Sequence, residues 1–189
     1  MKESDAIRRL KNGDISGLDD LVSLYYVRAV RSAYLVLQDR TQAEDVVQSA
    51  FIHAYEHIDQ FDATRAFEPW FLRSVVNRAR MLGRRQASTV PLMDGAEYDE
   101  NSLPDQEPSP EELLIAAETT EAIWEVLDKL SLDQRAVIVR RYYLGQSEVE
   151  IASELDCPPG TVKSRLFTAR HRLRELIPSW LKPISRSDQ

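Results

Sequence analysis

The sequence predicts an all-α protein of two small helical domains joined by a flexible acidic linker, the second domain containing a helix-turn-helix. Three observations lead there. Apolar residues recur at three- and four-residue spacings through the ordered stretches, and no stretch alternates with the period of two that marks a half-buried strand. Four sites place Ser or Thr three residues before Glu or Gln, the pattern in which a hydroxyl and a carboxyl or amide reciprocally satisfy the free N–H groups of a starting helix. These are Thr41/Glu44, Ser109/Glu112, Ser131/Gln134 and Ser147/Glu150. Charge is also divided along the chain: the net −7 separates into +1 for residues 1–85, −12 for 86–128, which hold no Lys or Arg, and +4 for 129–189. A polar, proline-containing acidic run between two helical regions reads as a self-repelling linker.

Taken in order, residues 3–12 form a short helix ended by Asn12 and Gly13. A longer helix follows from about Ile15 through Leu37, burying Leu18, Leu21, Val22, Tyr25 and Val30. Thr41 opens the next. There Ala43, Val46, Val47, Ala50, Phe51, Ala54, Tyr55 and Ile58 share one face, while Asp45, Gln48, Ser49, His53 and Glu56 point outward. After the loop DQFDATRAFEPW, Pro69 suits a first helical turn because its missing N–H costs nothing there. The helix it opens turns Trp70, Leu72, Val75, Val76 and Ala79 to a core and carries Arg73, Arg78, Arg80, Arg84 and Arg85, with no acid between Pro69 and Met93. Aromatics beside arginines suit single-stranded nucleic acid, since bases stack on rings while guanidinium groups hold phosphates. Trp70 and Phe71 are adjacent, so one of them should lie near the surface.

The expected boundaries are a first domain at 1–86, a linker at 87–110, a second domain at 111–178 and a tail at 179–189. The second domain should open at Ser109–Pro110, run as a helix to Leu130, restart at Ser131 and close at Gly145. Residues 147–176, SEVEIASELDCPPGTVKSRLFTARHRLREL, then outline the helix-turn-helix, whose second helix would enter a DNA major groove. In that helix Val162, Leu166, Ala169 and Leu173 make an apolar stripe, against a basic one of Lys163, Arg165, Arg170, Arg172 and Arg174.

Several function classes are excluded by composition. No apolar run approaches the roughly 18–20 residues of a membrane span, and MKESDAIRRLKNGD lacks the apolar core of a signal peptide, so a cytoplasmic protein with no membrane span is expected. Cys157 stands alone, which rules out an internal disulfide and a Cys-rich zinc site. His53 and His57 are four apart but have no third ligand in a recognised pattern; no metal and no cofactor is expected. Ser, His and Asp occur without a spacing or glycine-rich elbow that groups them, so no catalytic residue is assigned and an enzyme is not expected.

The chain resembles the extracytoplasmic-function class of bacterial RNA polymerase sigma factors, across about residues 5–85 and 111–176. The resemblance rests on AEDVVQSAF at 43–51, FEPWFLRSVVNRAR at 67–80 and EIASELDCPPGTVKSRLFTAR at 150–170, and on their order. It implies promoter recognition and melting on behalf of core polymerase, reached through its β′ clamp and β flap. It also implies an anti-sigma partner. On this likeness Asp45, Gln48 and Ser49 contact polymerase. Asp62, Arg65, Phe67, Arg73, Asn77, Arg80 and Arg84 contact the −10 element, the loop 62–67 holding an unstacked base. Thr161, Lys163, Ser164, Arg165, Phe167, Thr168 and Arg170 contact the −35 element, with Lys163, Ser164, Phe167 and Thr168 facing bases. A stand-alone helix-turn-helix regulator is the alternative; it leaves the basic segment at 61–85 without a role.

Overall fold

A computed structural model describes residues 3–89, 124 and 126–176. Among these the ordered elements are helical and fall into two lobes. The first holds α1 (Glu3–Lys11), α2 (Ser16–Leu37), α3 (Arg40–Glu56), a 3-10 turn (Ile58–Gln60) and α4 (Phe67–Thr89). The second holds α5 (Leu132–Ile138), continued by a π-helical turn (Val139–Tyr143), then α6 (Glu148–Glu154) and α7 (Pro159–Leu176). The acidic linker, the cap at Ser109 and the tail lie outside the described residues, and α4 runs a little past the expected boundary at 86.

Each helix forms where local chemistry starts and stops it. Gly13, at φ +82°, lets the chain leave α1 in a left-handed conformation that a side chain would resist. The third helix departs from expectation. Asp39, not Thr41, caps it: the carboxylate accepts from the backbone N–H of Gln42 at 2.9 Å and from its side-chain amide at 2.7 Å. Glu44 is drawn instead to Arg40, 3.0 Å away one turn earlier. A charged acceptor already in place at Asp39 outcompetes the hydroxyl. At Ser131 and Ser147 the reciprocal boxes form as expected.

The first-lobe core joins α1 to α4 through Leu21, Val36, Val47, Phe51, Phe67, Phe71, Leu72, Val75 and Val76, all buried. Every α3 residue expected inside is buried except Tyr55, which is exposed. Trp70 is half-buried and its neighbour Phe71 fully buried, so Trp70 lies nearer the surface. The second lobe has a smaller core of Val137, Ile151, Ala152, Leu155, Val162 and Leu166, which fixes α6 against α7. Between them Asp156 takes φ +47° and Cys157 donates its N–H to the Ala152 carbonyl at 3.1 Å. Cys157 is half-buried and free.

The two lobes share a surface. Ala136 and Val139 are buried in the first lobe's core, with Leu132, Tyr143 and Leu144 packed beside them. Gly83 of α4 lies against Leu132 so closely that a Cβ built there would meet its methyl carbon at 2.8 Å. Arg135 reaches from α5 to the Val36 carbonyl at 2.8 Å, a C-terminal carbonyl of α2 that the helix itself leaves unpaired.

Candidate nucleic-acid and polymerase interfaces

On α3, burial of the apolar face leaves Asp45, Gln48 and Ser49 exposed together with Ile52. With His53, Glu56 and Arg78 they line a shallow concavity. Arg78 reaches the Ser49 hydroxyl at 3.4 Å. The His53 and His57 rings stack with centroids 4.0 Å apart. Burial, then the Arg78 charge and His57 itself, push the His53 imidazole below its usual range. At neutral pH this face therefore presents one uncharged imidazole beside the Asp45 and Glu56 carboxylates. It is a mixed acidic and apolar surface on a rigid helix, suited to protein more than to DNA.

The residues matched to −10 contacts divide into two groups. Asp62 and Arg65 sit exposed on the loop before α4. The Asp62 carboxylate accepts from the Thr64 hydroxyl at 2.7 Å and its backbone N–H at 3.0 Å, and those bonds hold its pKa below the ordinary carboxylate range. The loop is thereby shaped before any ligand arrives. Arg73, Asn77, Arg80 and Arg84 follow one another along α4 at spacings of three and four, hence along one face.

Phe67 is corrected. It is completely buried, its ring packed against Tyr25, Phe61, Trp70 and Phe71 at centroid separations of 5.4–5.8 Å. Its backbone N–H is tied to Glu3 at 3.1 Å. Phe61 and Phe71 are buried too, so the interleaved rings are chiefly core and not the stacking platform that their composition suggested. Four aromatics clustered within eleven positions bury one another's faces more favourably than they would stay in water. What they supply to the loop is a rigid floor.

Much of the α4 face is engaged by the second lobe. Arg140, fully buried, extends from the π-helical turn to the Asn77 side-chain oxygen at 2.7 Å, and to Gln146 at 2.8 Å and Glu154. Burial draws its pKa down while Glu154 opposes that shift, and guanidinium remains the charged form. Arg73 pairs with Glu150 at 3.3 Å and Glu154 at 3.5 Å. Arg80 and Arg84 both donate to Asp133, at 2.7 and 2.9 Å. Neither Arg140 nor Asp133 emerged from the sequence as a site residue. A signal existed for Arg140: it falls in phase with buried Ala136 and Val137, so the helical rhythm carries it inward.

On α7, Val162, Leu166 and Ala169 are buried and Lys163, Ser164 and Phe167 are exposed side by side. Phe167 is 66% exposed, an unusual state for a ring on a helix that has a core available to it. Thr161, Arg165, Thr168 and Arg170 are half-buried along the flanks. Arg165 pairs with Asp133 at 2.8 Å, and Arg170 donates to the Leu166 carbonyl at 3.2 Å. A capped helix holds this helix at a fixed angle and leaves a donor, a hydroxyl and an apolar ring adjacent. Those are groups that can read base edges and thymine methyls in a major groove.

Two small helical lobes, one with a capped helix-turn-helix and one with an arginine face beside a preshaped loop, are also the form in which known proteins match this chain. Residues 8–89 match the model for sigma-70 region 2 and residues 120–173 that for sigma-70 region 4. The RNA polymerase sigma-H factor of Pseudomonas aeruginosa is 31% identical over 98% of this chain and 96% of its own length. The ECF RNA polymerase sigma-E factor of Escherichia coli is 33% identical over 95% and 94%. Among solved structures, CnrH in complex with the cytosolic domain of CnrY is 25% identical at a TM-score of 0.57, over 92% of this chain and 96% of that one. The sigma factor RpoE in complex with the anti-sigma factor NepR from Bartonella quintana is 26% identical at 0.57, over 84% and 94%.

The chain belongs to the sigma-70 family, the transcription initiation factors that bind RNA polymerase core and promoter DNA. Within that family it is an extracytoplasmic-function sigma factor. The match of the first lobe to region 2 decides against the stand-alone regulator, and none of the described helices is long and apolar enough to cross a membrane.

Proposed function

We propose that the division of labour among the surfaces follows the two lobes. The α3 face of Asp45, Gln48 and Ser49 docks on the β′ clamp of core polymerase, and the second lobe meets the β flap. Asp62 and Arg65, with Arg73, Asn77, Arg80 and Arg84, take the −10 element as its strands separate. Phe67 acts from beneath, as the floor of that loop. Unstacking a base costs a few kcal/mol, which capture of the flipped base offsets. On α7, Lys163, Ser164, Phe167 and Thr168 face bases of the −35 duplex, while Thr161, Arg165 and Arg170 hold phosphates and fix register.

The adjacent exposure of Lys163, Ser164 and Phe167 on the second helix of the helix-turn-helix is the observation that carries this reading. The chain selects and opens start sites in the cytoplasm and catalyses no covalent step; the polymerase makes the RNA. An anti-sigma factor restrains it, a reading supported by the complexes in which the CnrH and Bartonella quintana RpoE structures were solved.

Run-off transcription with purified core polymerase on genomic promoter fragments tests the whole. Specific transcripts that depend on this chain are expected, and their start sites define both elements. Absence of any such transcript overturns the assignment. With a promoter in hand, Asp45→Arg should weaken binding to core, and unaltered affinity would remove α3 from the polymerase contact.

A further inference from the structure

Residues 62–66 form an exposed arch between two buried phenylalanines. Its feet are Phe61 and Phe67, whose rings meet edge to face with centroids 5.5 Å apart. Each foot is also gripped on its backbone, and both grips come from one helix. Lys11, the last residue of α1, donates its ammonium to the Phe61 carbonyl at 2.6 Å, across 50 positions of chain. Glu3, the first residue, accepts the Phe67 N–H on one carboxylate oxygen at 3.1 Å and the Tyr25 hydroxyl on the other. The Phe67 N–H stands at the start of α4, where it has no intrahelical acceptor. A carboxylate from another helix satisfies it and faces the positive end of the α4 dipole.

We infer that α1 is a strut that sets the span of this arch, and that Glu3 and Lys11 are positioning residues for capture of the unstacked −10 base. This rests on the assignment of the arch to that base and names what holds it in shape. Glu3, Ile7 and Lys11 recur at spacings of four, so they share one stripe of α1, and Ile7 is buried between the two polar contacts. The helix holds Glu3 and Lys11 about 12 Å apart along its axis, a length that its own hydrogen bonds keep constant. The strut is itself fixed. A Cβ on Gly17 of α2 would collide with the Ala6 carbonyl oxygen, so the two helices touch backbone to backbone there. Arg9 pairs with Asp20 and donates to the Ser16 hydroxyl at 3.0 Å.

The chemistry of both grips suits a permanent hold. Burial, then the Glu3 hydrogen bond, push the Tyr25 hydroxyl above its usual range, so it remains a donor to Glu3 at physiological pH. In the arch, the Thr64 hydrogen bonds, then the Arg65 and Lys11 charges, hold the Asp62 carboxyl below the usual range. Lys11 therefore acts on the arch twice, at the Phe61 carbonyl and through the charge on Asp62. The Thr64 and Arg65 N–H groups, both bonded to Asp62, shape the tip; they do not fix the distance between the feet. α1 supplies that constraint, and a pocket ordered in advance spends less of its binding energy on ordering itself.

Amide exchange in the full chain reads the strut without DNA. Lys11→Met removes the donor, Glu3→Ala removes both acceptors, and Glu3→Gln keeps an oxygen for the Phe67 N–H. In Lys11→Met and Glu3→Ala the Thr64 and Arg65 amides should exchange about fivefold faster, the scale of one net hydrogen bond. Glu3→Gln should restore the wild-type rate, with the buried α2 residue Ala33 unchanged in all three. Unaltered rates at Thr64 and Arg65, or equal acceleration at Ala33, overturn the strut.

The holoenzyme reads capture. The probe is a fork of duplex DNA with a single-stranded −10 segment, taken from a promoter mapped by run-off transcription. Abasic positions introduced one at a time locate the captured base as the one whose loss weakens wild-type binding about tenfold. Lys11→Met and Glu3→Ala should bind the intact fork about fivefold more weakly than wild type, and bind the fork abasic at that position as wild type does. Glu3→Gln should match wild type on both. Equal weakening on the two forks makes the effect one of stability and overturns the positioning role, as does wild-type discrimination in Lys11→Met and Glu3→Ala. Failure of the loop assignment is read apart from these, in the unaltered chain: no loss at any abasic position overturns the assignment and the capture role with it, while amide exchange alone decides the strut.

Discussion

The two surfaces of this sigma factor that are proposed to meet DNA stand in opposite conditions. On α7 the set proposed to face bases is open: Lys163, Ser164 and Phe167 are exposed, and Arg165 at the flank pairs with Asp133 of its own lobe. On α4 the corresponding set is largely covered: Arg73, Asn77, Arg80 and Arg84 each bind a residue of the second lobe, and of the four only Arg84 stays exposed. The difference teaches that an arginine-bearing helix face able to hold phosphates is equally able to hold protein carboxylates. Whether it is available depends on what the chain itself places opposite.

The contrast can be broken or sharpened by substitution, and the largest effect is expected beneath the covered side. Phe67→Ala should destabilise the first lobe by about 3–5 kcal/mol, as for a fully buried ring, read from urea unfolding. Little loss of stability, with impaired opening of the −10 element, would return Phe67 to the surface role that the family likeness implied. Next comes the open side. Lys163→Ala should weaken −35 recognition by about 1–3 kcal/mol if its ammonium reaches a base edge, and do so at one base pair only. A uniform loss across sequences, with a shallower salt dependence, would make it a phosphate contact. Smaller again, Ser147→Ala removes the reciprocal cap of α6, which should cost about 0.5–2 kcal/mol and show as faster amide exchange in the helix-turn-helix than in α4.

The smallest effect separates loop from interface. Arg65→Ala, at an exposed side chain that pairs among the described residues with Asp62 at 3.4 Å, should leave stability within about 0.5 kcal/mol while reducing −10 strand capture. Acid gives a further test of the covered side. The Asp133 pKa is lower in the closed chain than its unfolded value of about 4. Its contribution is therefore fully present above that value and lost as pH falls through the folded one. Interlobe distances should be constant from pH 8 to about 5 and lengthen only in stronger acid; an opening near neutrality would point to a histidine and not to Asp133.

Much of this molecule was legible before its coordinates. The helices over 3–37 and 147–176, the caps at Ser131 and Ser147, the buried stripe of α3 and the exposed Asp45, Gln48 and Ser49 all follow from spacing and hydroxyl-to-amide chemistry. These are interactions between residues three or four apart, and the sequence displays such neighbours directly. The misreadings share a cause. At Thr41 the pattern was right but a stronger acceptor lay two residues upstream, so competition between nearby groups decided the cap. At Phe61, Phe67 and Phe71 composition could not tell a stacking surface from an aromatic core, because the two use the same residue types and differ only in what lies opposite.

By itself the sequence determined the helical class, the separation of two DNA-reading regions by an acidic stretch, and the family to which they belong, since periodicity, charge and motif order are properties of a chain. Only the tertiary structure decided that Arg140 is buried against Asn77 and that Asp133 gathers Arg80, Arg84 and Arg165. Those partners are separated by 49–63 positions or, for Arg165, brought round by the turn at Asp156, and no local rule names them. Pairings at such range are fixed by how two independently stable helical faces meet, and a guanidinium reads the same in sequence whether its oxygen will come from a phosphate or from an aspartate.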